Sequence, residues 1–378
     1  MHKKMEIKSH KGIYSVQFSE NAFAEIAQLS PQKTQIIMDQ NVLQLYSDFI
    51  QVHLSSFPIL VIEANEENKN IKMIDQYVDQ LMNHSVKIDH TLVAIGGGII
   101  QDLTCFLASN LFRGMKWMFV PTTLLAQADS CIGSKSSINV GPYKNLMGGF
   151  CPPEKIIIDL KFLNTLSDQE IRSGIGEILK VHMIKGLSEF RESCDSYERM
   201  LTERSVLEEF IWRSLSYKRE LIEIDEFDRG PRNVMNYGHS YGHAIESATH
   251  FGIPHGIAVT IGMDMANHQS YQMGRISKDD FLSWHETLRK NFRSFRNVAL
   301  DPQLFFQSIQ RDKKNIGGDL MLILVRSEGP IEKVRVLNDE KFKTHCLEYF
   351  ETYFRRSDHE DHTCDSNQGS AKGHTKSF

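Results

Sequence analysis

Hydrophobic positions follow two rhythms along the chain. In the first half, short apolar runs of strand length alternate with amphipathic stretches. Gln35–Met38, Ile59–Ile62, Thr91–Ile95, Met115–Val120 and Ile156–Asp159 read as strands. Ile74, Tyr77, Val78 and Leu81 fall at spacings of three and four, which predicts a helix over Ile71–Asn83. Asp102–Asn110 is predicted helical too. Strands alternating with helices mean βαβ units and a mostly parallel sheet. From Ser167 to about Phe295 the rhythm is mostly helical, and Ser167 with Glu170 three residues on has the form of a capping box. Pro302–Phe350 mixes another helix with a strand run at Leu320–Val325. The expected architecture is an α/β nucleotide-binding domain with a mostly parallel sheet over residues 1–160. A mainly α-helical metal- and substrate-binding domain then covers 161–356.

Residues 357–378 are polar and almost free of apolar side chains, so a disordered tail is expected there. His359, His362, Cys364 and His374 belong to that tail and are read as part of it, not as a metal site. A length of 378 residues suits two domains. The net charge of −5 comes from 43 basic and 48 acidic residues, mixed along the chain without a basic stripe. That argues against nucleic acid as a main partner. No apolar run approaches the ~18 residues of a membrane span. The opening MHKKMEIKSHKG has no apolar core of a signal peptide. Six cysteines without CxxC pairs fit a reducing cytoplasm.

Chemistry concentrates in a few segments. Gly96-Gly97-Gly98 ends a strand and opens towards a helix, where backbone N–H groups and the helix dipole favour a phosphate. Asp39 and Asn41 follow the first of these strands, where a carboxylate can accept bonds from ribose hydroxyls. Glu66 and Lys69 follow the second. Between Arg113 and Phe150, Thr122, Thr123, Asp129, Lys135, Lys144 and Asn145 are set among Gly- and Ser-rich stretches; the lysines suit a phosphate. Glu177 lies in SGIGEILKV, His239 and His243 in NYGHSYGHAIE, and His255 in PHG. One Glu and two His form a catalytic zinc set with positions left open. Spacing alone pairs His239 with His243, because residues four apart share a helix face.

Taken together, GGGIIQD, RGMKWMFVPTTLLAQADSCIGSK, YKNLMGGF, SGIGEILK, RNVMNYGHSYGHAIE and PHGIAVTIGM resemble the 3-dehydroquinate synthase and wider sugar-phosphate cyclase family. The resemblance runs from about Asp39 to Val325. It implies zinc, or cobalt in its place, on Glu177, His239 and His255, which turns His243 into a substrate contact. It implies NAD on Gly97, Gly98, Asp102, Thr122, Thr123, Lys135, Lys144, Phe162 and Thr165, and on Asp39, Asn41, Glu66 and Lys69. Asp129, Lys135, Asn145, Lys180, Lys218, Arg232, Asn236 and His243 fall on substrate positions. Arg113 matches an arginine that the family supplies across a homodimer interface, and the family's late lysine falls on Lys313 or Lys314.

The implied activity is that of a phosphate-eliminating lyase. DAHP, a seven-carbon sugar acid phosphate, becomes 3-dehydroquinate by transient NAD oxidation, elimination, re-reduction and intramolecular aldol closure, a shikimate-pathway step. Lys135, Asn145, Asn236 and His243 would hold phosphate; Lys218 and Arg232 would hold the carboxylate, Arg with its bidentate fork. The chain departs from the family pattern at Gln101 (a glycine in the family), at Ser134 within Ile132–Asn139, at Ile257 (a glutamate) and at Asp228 (a glutamate). These changes flank the chemistry and bear on substrate identity. The alternatives are a cyclase acting on another sugar phosphate such as sedoheptulose 7-phosphate, a metal-dependent polyol dehydrogenase, and a non-enzymatic scaffold. Retained Lys218 and Arg232 weigh against the first, the absence of a ligand histidine one turn after Glu177 against the second, and intact ligand and lysine positions against the third.

Overall fold

A computed structural model describes residues 3–355 except 142, 312–314, 316–317 and 329–330. The predicted tail over 357–378 and the Lys313-Lys314 pair lie outside the described residues.

The chain opens with an antiparallel hairpin of β1 (Lys4–Ser9) and β2 (Gly12–Phe18). Then come α1 (Ala22–Ile26), β3 (Thr34–Asp39), α2 (Gln40–Leu45), α3 (Ser47–Leu54) and β4 (Ile59–Ile62). They are followed by α4 (Ile71–Asn83), β5 (Thr91–Gly96), α5 (Gly98–Asn110) and β6 (Lys116–Pro121). A small hairpin of β7 (Ile138–Val140) and β8 (Tyr143–Met147) precedes β9 (Lys155–Ile158). The main sheet has seven strands in the order β1-β2-β9-β6-β5-β3-β4. All its neighbours are parallel except β1 and β2. The structure therefore shows the mostly parallel α/β sheet that the alternating pattern predicts.

The second half is helical: α6 (Asp168–Lys185), α7 (Leu187–Asp195), α8 (Tyr197–Thr202), α9 (Arg204–Ile224), α10 (His239–Ala248), α11 (His255–Gln272), α12 (Lys278–Phe292) and α13 (Pro302–Gln310). Strands β10 (Leu320–Leu324) and β11 (Glu332–Val336) pair antiparallel before α14 (Glu340–Tyr349). Ser167 caps α6 with both reciprocal bonds of the capping box. No helix among the described residues is long and apolar enough to cross a membrane.

Side-chain alternation along each buried strand divides two cores. On β3, Ile36 and Met38 face a smaller cluster with Phe23, Ile50 and Leu54, while Ile37 faces the larger one. The larger core continues through Ile100 and Phe119 to Ile175, Ile178, Ile257 and Ile261, so one apolar mass ties the sheet to α6 and α11.

The structure differs from the pattern in instructive places. Helix α5 begins at Gly98, not Asp102, because Gly97 in extended backbone turns the chain straight from β5 into the helix. Glycine's low helix propensity hid that start. The β1/β2 hairpin went unread although Met5 and Ile7 alternate with exposed Lys and Glu, the pattern of a half-buried strand.

Close backbone contact sets where the helices meet. A Cβ on Gly256 would lie 2.0 Å from the Ser173 carbonyl oxygen, and one on Gly176 would lie 2.4 Å from the Gly256 oxygen. A Cβ on Gly262 would lie 2.1 Å from the Gly238 oxygen. Glycine at these positions lets α6 and α10 rest directly on α11. Gly256→Ala and Gly262→Ala should each lower unfolding stability by about 1–3 kcal/mol or more, the cost of overpacking. Urea titration measures this, with Gly149→Ala as the contrast, since the same methyl there meets nothing within 4 Å.

Candidate active site

A cavity of about 1050 Å³ opens where the parallel strands end, between the sheet and the helical half. In an open α/β sheet this is where ligands bind, outside the carboxyl ends of the strands. Gly98, Asp102 and Thr123 line it from the sheet side, and Lys218, Arg232 and His255 from the helices.

Glu177 projects from α6, while His239 and His255 are the first residues of α10 and α11. One ligand atom from each lies within 4.8 Å of the others. His239 Nδ1 sits 3.2 Å from the Tyr237 carbonyl oxygen. A carbonyl can only accept, so Nδ1 carries the proton and Nε2 keeps its lone pair. His255 Nδ1 is 3.4 Å from Glu246 Oε1, which leaves His255 Nε2, 3.7 Å from Glu177 Oε1. Glu177 is buried, and its Oε1 has no hydrogen-bond partner. Burial pushes its carboxyl pKa up, and the neighbouring Asp129 adds to this, against the pull of Lys180 and His255. Burial would depress the His255 pKa, but the Glu246 hydrogen bond and the charges of Glu246 and Glu177 outweigh it, so it is raised. An orphaned carboxylate oxygen facing imidazole nitrogens fits a divalent cation, and one Glu with two His is a zinc donor set.

His243 shares a face with His239, rings 5.5 Å apart, as the spacing predicts. Its ligand atom groups with Glu246 and His255 instead of Glu177, which corrects the pairing of His239 with His243. Glu246 went unread in the sequence; its one signal is its place one turn after His243 on the same helix.

Beside this cluster is a chain of buried charges. Asp129 belongs to a π-helical turn, Ala126–Ser130. Lys180 Nζ donates to Asp129 Oδ2 at 2.8 Å and also lies against Glu177. Lys218 Nζ donates to the Asp129 carbonyl at 2.7 Å and stands 2.6 Å from Oδ1. Burial alone would raise the Asp129 pKa, but the two lysines hold it well below the carboxylate range. Burial lowers the Lys218 pKa, with Arg232 and Lys180 adding to this against the pull of Asp129. Arg232 is buried, and its Nη1 donates to the Glu226 carbonyl at 2.7 Å. Asp225, at the end of α9, accepts from the backbone of Arg229, Gly230 and Arg232 and so shapes this loop; the sequence reading missed it.

Around the α5 N-terminus, Gly97 caps the helix without a side chain, and Gly98 lines the cavity. Asp102 accepts from Ser137 N at 3.0 Å, Ser137 Oγ at 2.6 Å and Lys69 Nζ at 3.1 Å. Lys69 also donates to Asn145 at 2.9 Å, so Asn145 is held by a lysine here. Glu66 accepts from Asn139 at 2.7 Å, and Lys144 Nζ lies 3.6 Å from the centre of the Phe251 ring. Lys135 is exposed and paired with Asp228 at 2.5 Å. Asn236 also lines the cavity. Thr122 is buried against the Gly96 carbonyl.

Six expected nucleotide residues, Asp39, Asn41, Gly97, Thr122, Phe162 and Thr165, are not among those lining this cavity. Asp39 caps α2, accepting from the exposed Asn41 at 2.9 Å. Phe162 packs edge-on against Tyr46, 5.0 Å between ring centres, and Thr165 Oγ1 is 3.1 Å from the Tyr46 hydroxyl. Arg113 lies just after α5, at the opposite end of that helix from the cavity.

Comparison with known proteins agrees with this geometry. The profile of the 3-dehydroquinate synthase N-terminal family matches residues 59–173, and that of the C-terminal family residues 174–315. The 3-dehydroquinate synthase of Dehalococcoides mccartyi is 32% identical over 327 residues, covering 84% of this chain and 91% of that protein. The chain belongs to the 3-dehydroquinate synthase family. It is thus a member of an enzyme family. The fold is shared with a 2-epi-5-epi-valiolone synthase from Streptomyces hygroscopicus, solved with NAD+ and Zn2+ (TM-score 0.80, 23% identity, 89% and 97% of the two chains). It is shared too with a 2-deoxy-scyllo-inosose synthase solved with carbaglucose-6-phosphate, NAD+ and Co2+ (TM-score 0.75, 21% identity, 92% and 99%).

Within this family frame, the carboxylate beside His255 comes from α10 through Glu246, while Ile257 on α11 is fully buried. Glu246→Ala should weaken divalent-metal affinity about 10–100-fold by freeing the His255 ring, the usual cost of losing a partner that orients a ligand. Competition with a chromogenic chelator measures it. Unchanged affinity would show that Glu246 does not orient His255.

Proposed function

We propose that the chain is a metal- and NAD-dependent cyclase that converts DAHP to 3-dehydroquinate with loss of phosphate. The observation that carries this reading is the meeting of Glu177, His239 and His255 beside a cavity wall with two buried cations, Lys218 and Arg232. Zinc on the three ligands would polarise the reacting hydroxyl, and NAD at the α5 N-terminus would take a hydride and return it.

The chain's own residues supply the rest. The Arg232 fork suits a substrate carboxylate, and Lys218 adds charge beside it. Lys218 already donates to the Asp129 carbonyl and is ion-paired with its carboxylate, so its contribution is chiefly to the local field. Asp129, kept ionised by its lysines, orients ring hydroxyls near the ligand cluster. His243 and Asn236 face the phosphate region, and the lysines of the 135–144 stretch flank its mouth. Arg113 lies away from the cavity, so in this reading it would act only where a second copy of the chain, as in a homodimer, brings it there.

A second reading is a cyclase acting on a sugar phosphate without a carboxylate, such as sedoheptulose 7-phosphate. The engagement of Lys218 by Asp129 favours it, since Arg232 then meets the substrate without a second available ammonium.

Purified protein with NAD and zinc should release phosphate from DAHP without net NADH. DAHP should be preferred over sedoheptulose 7-phosphate by at least ~30-fold in kcat/KM, the equivalent of roughly 2 kcal/mol for an unpaired buried cation. Arg232→Ala should remove most of that preference. Equal use of both sugars would establish the second reading, and steady NADH growth would point to a dehydrogenase.

A further inference from the structure

The β1/β2 hairpin precedes the residues that the family profiles match, and nothing so far gives it a task beyond closing the sheet edge. Its apolar face (Met5, Ile7, Val16 and Phe18) holds it in the core. Its polar groups reach the Arg232 loop from two directions.

The first contact runs through the hairpin turn. His10 N donates to Glu226 Oε2 at 2.7 Å, and His10 Nδ1 lies 2.9 Å from Glu226 Oε1. The His10 ring rests 5.3 Å from Phe227, and Lys8 N donates to Glu223 at 3.1 Å. Glu226 is thus fixed by its carboxylate, and its carbonyl accepts Arg232 Nη1. The second contact runs through β2. Gly133 N donates to the buried Tyr14 hydroxyl at 3.0 Å. Gly133 has a φ of +103°, and a Cβ there would stand 2.9 Å from Arg232 Nη2. The guanidinium is therefore lodged between the Glu226 carbonyl and the bare Gly133 backbone, and the hairpin secures both.

An arginine side chain has several rotatable bonds, and a bidentate fork helps binding only when its orientation is fixed beforehand. We propose that His10 and Tyr14, acting through Glu226 and Gly133, are positioning residues that hold the Arg232 guanidinium ready for an anionic group of the substrate. This rests on the reading of Arg232 as the carboxylate-binding residue.

The test uses the full-length enzyme with zinc, NAD and DAHP. His10→Ala and Tyr14→Phe should each raise KM about 5–20-fold with kcat within about twofold, the scale of a coupled pair losing one partner. Glu226→Ala should behave alike, and Glu226→Gln, which keeps an acceptor for His10 N, should recover most of the loss. Adding His10→Ala to Arg232→Ala should raise KM no further. The rate of Arg232 modification by phenylglyoxal, mapped by peptide mass, reads the placement of the guanidinium without substrate and should rise in both hairpin variants. Unchanged KM and unchanged Arg232 reactivity in His10→Ala and Tyr14→Phe, at an unchanged unfolding midpoint, would overturn the proposal. Raised reactivity beside an Arg232→Ala enzyme with normal KM would keep the positioning role and reject the carboxylate reading instead.

Discussion

Glu177, Lys180, Asp129 and Lys218 are buried side by side, and the site is built around their mutual neutralisation. Each would be costly alone, because an unpaired charge in a low-dielectric interior loses its hydration without replacement. Together, two carboxylates and two ammonium groups form a buried chain, of which Lys218 lines the cavity. One end leaves Glu177 Oε1 unpartnered near the two histidines; the other places Lys218 beside Arg232. The same four residues thus shape a cation position and an anion position at adjacent points of one wall.

Delivering those charges requires several elements to end at one place. The sheet carries Asp129 just beyond β6, on a π-turn, a local widening that is common at functional sites. Helices α6 and α9 bring Lys180 and Lys218, and α10 and α11 begin with their histidines. Bare glycine backbone at Gly256 and Gly262 lets those helices touch, so the ligand distances follow from backbone packing. The Tyr237 carbonyl orients one histidine ring and the Glu246 carboxylate the other.

Two of the positions where the sequence differs from the pattern it resembles, Gln101 and Asp228, make contacts at or next to the cavity lining. Gln101 and Ser130 bond reciprocally, Nε2 to the Ser130 carbonyl at 2.6 Å and Ser130 Oγ to Gln101 Oε1 at 2.7 Å. A glycine at 101 would leave that link between α5 and the Asp129 turn unmade. Asp228, shorter than the family's glutamate, holds Lys135 at the cavity rim.

Much of the architecture was legible from residue pattern alone. Ile59–Ile62 and Ile71–Asn83 form their strand and helix at the expected bounds, because buried strands and amphipathic helices write their period into the chain. The Ser167–Glu170 capping box was equally local. Candidate donors could be named because Glu, His, Lys and Arg among apolar neighbours are conspicuous. Their partnerships were another matter. Spacing joined His239 to His243, since sequence sees only one helix at a time, whereas the convergence with Glu177 and His255 depends on three helices meeting. Glu246, Asp225, Glu226 and the β1/β2 hairpin were not singled out by pattern or motif. Only the tertiary structure gave them neighbours, because a hydrogen bond between residues more than two hundred positions apart, as from His10 to Glu226, leaves no trace in local periodicity.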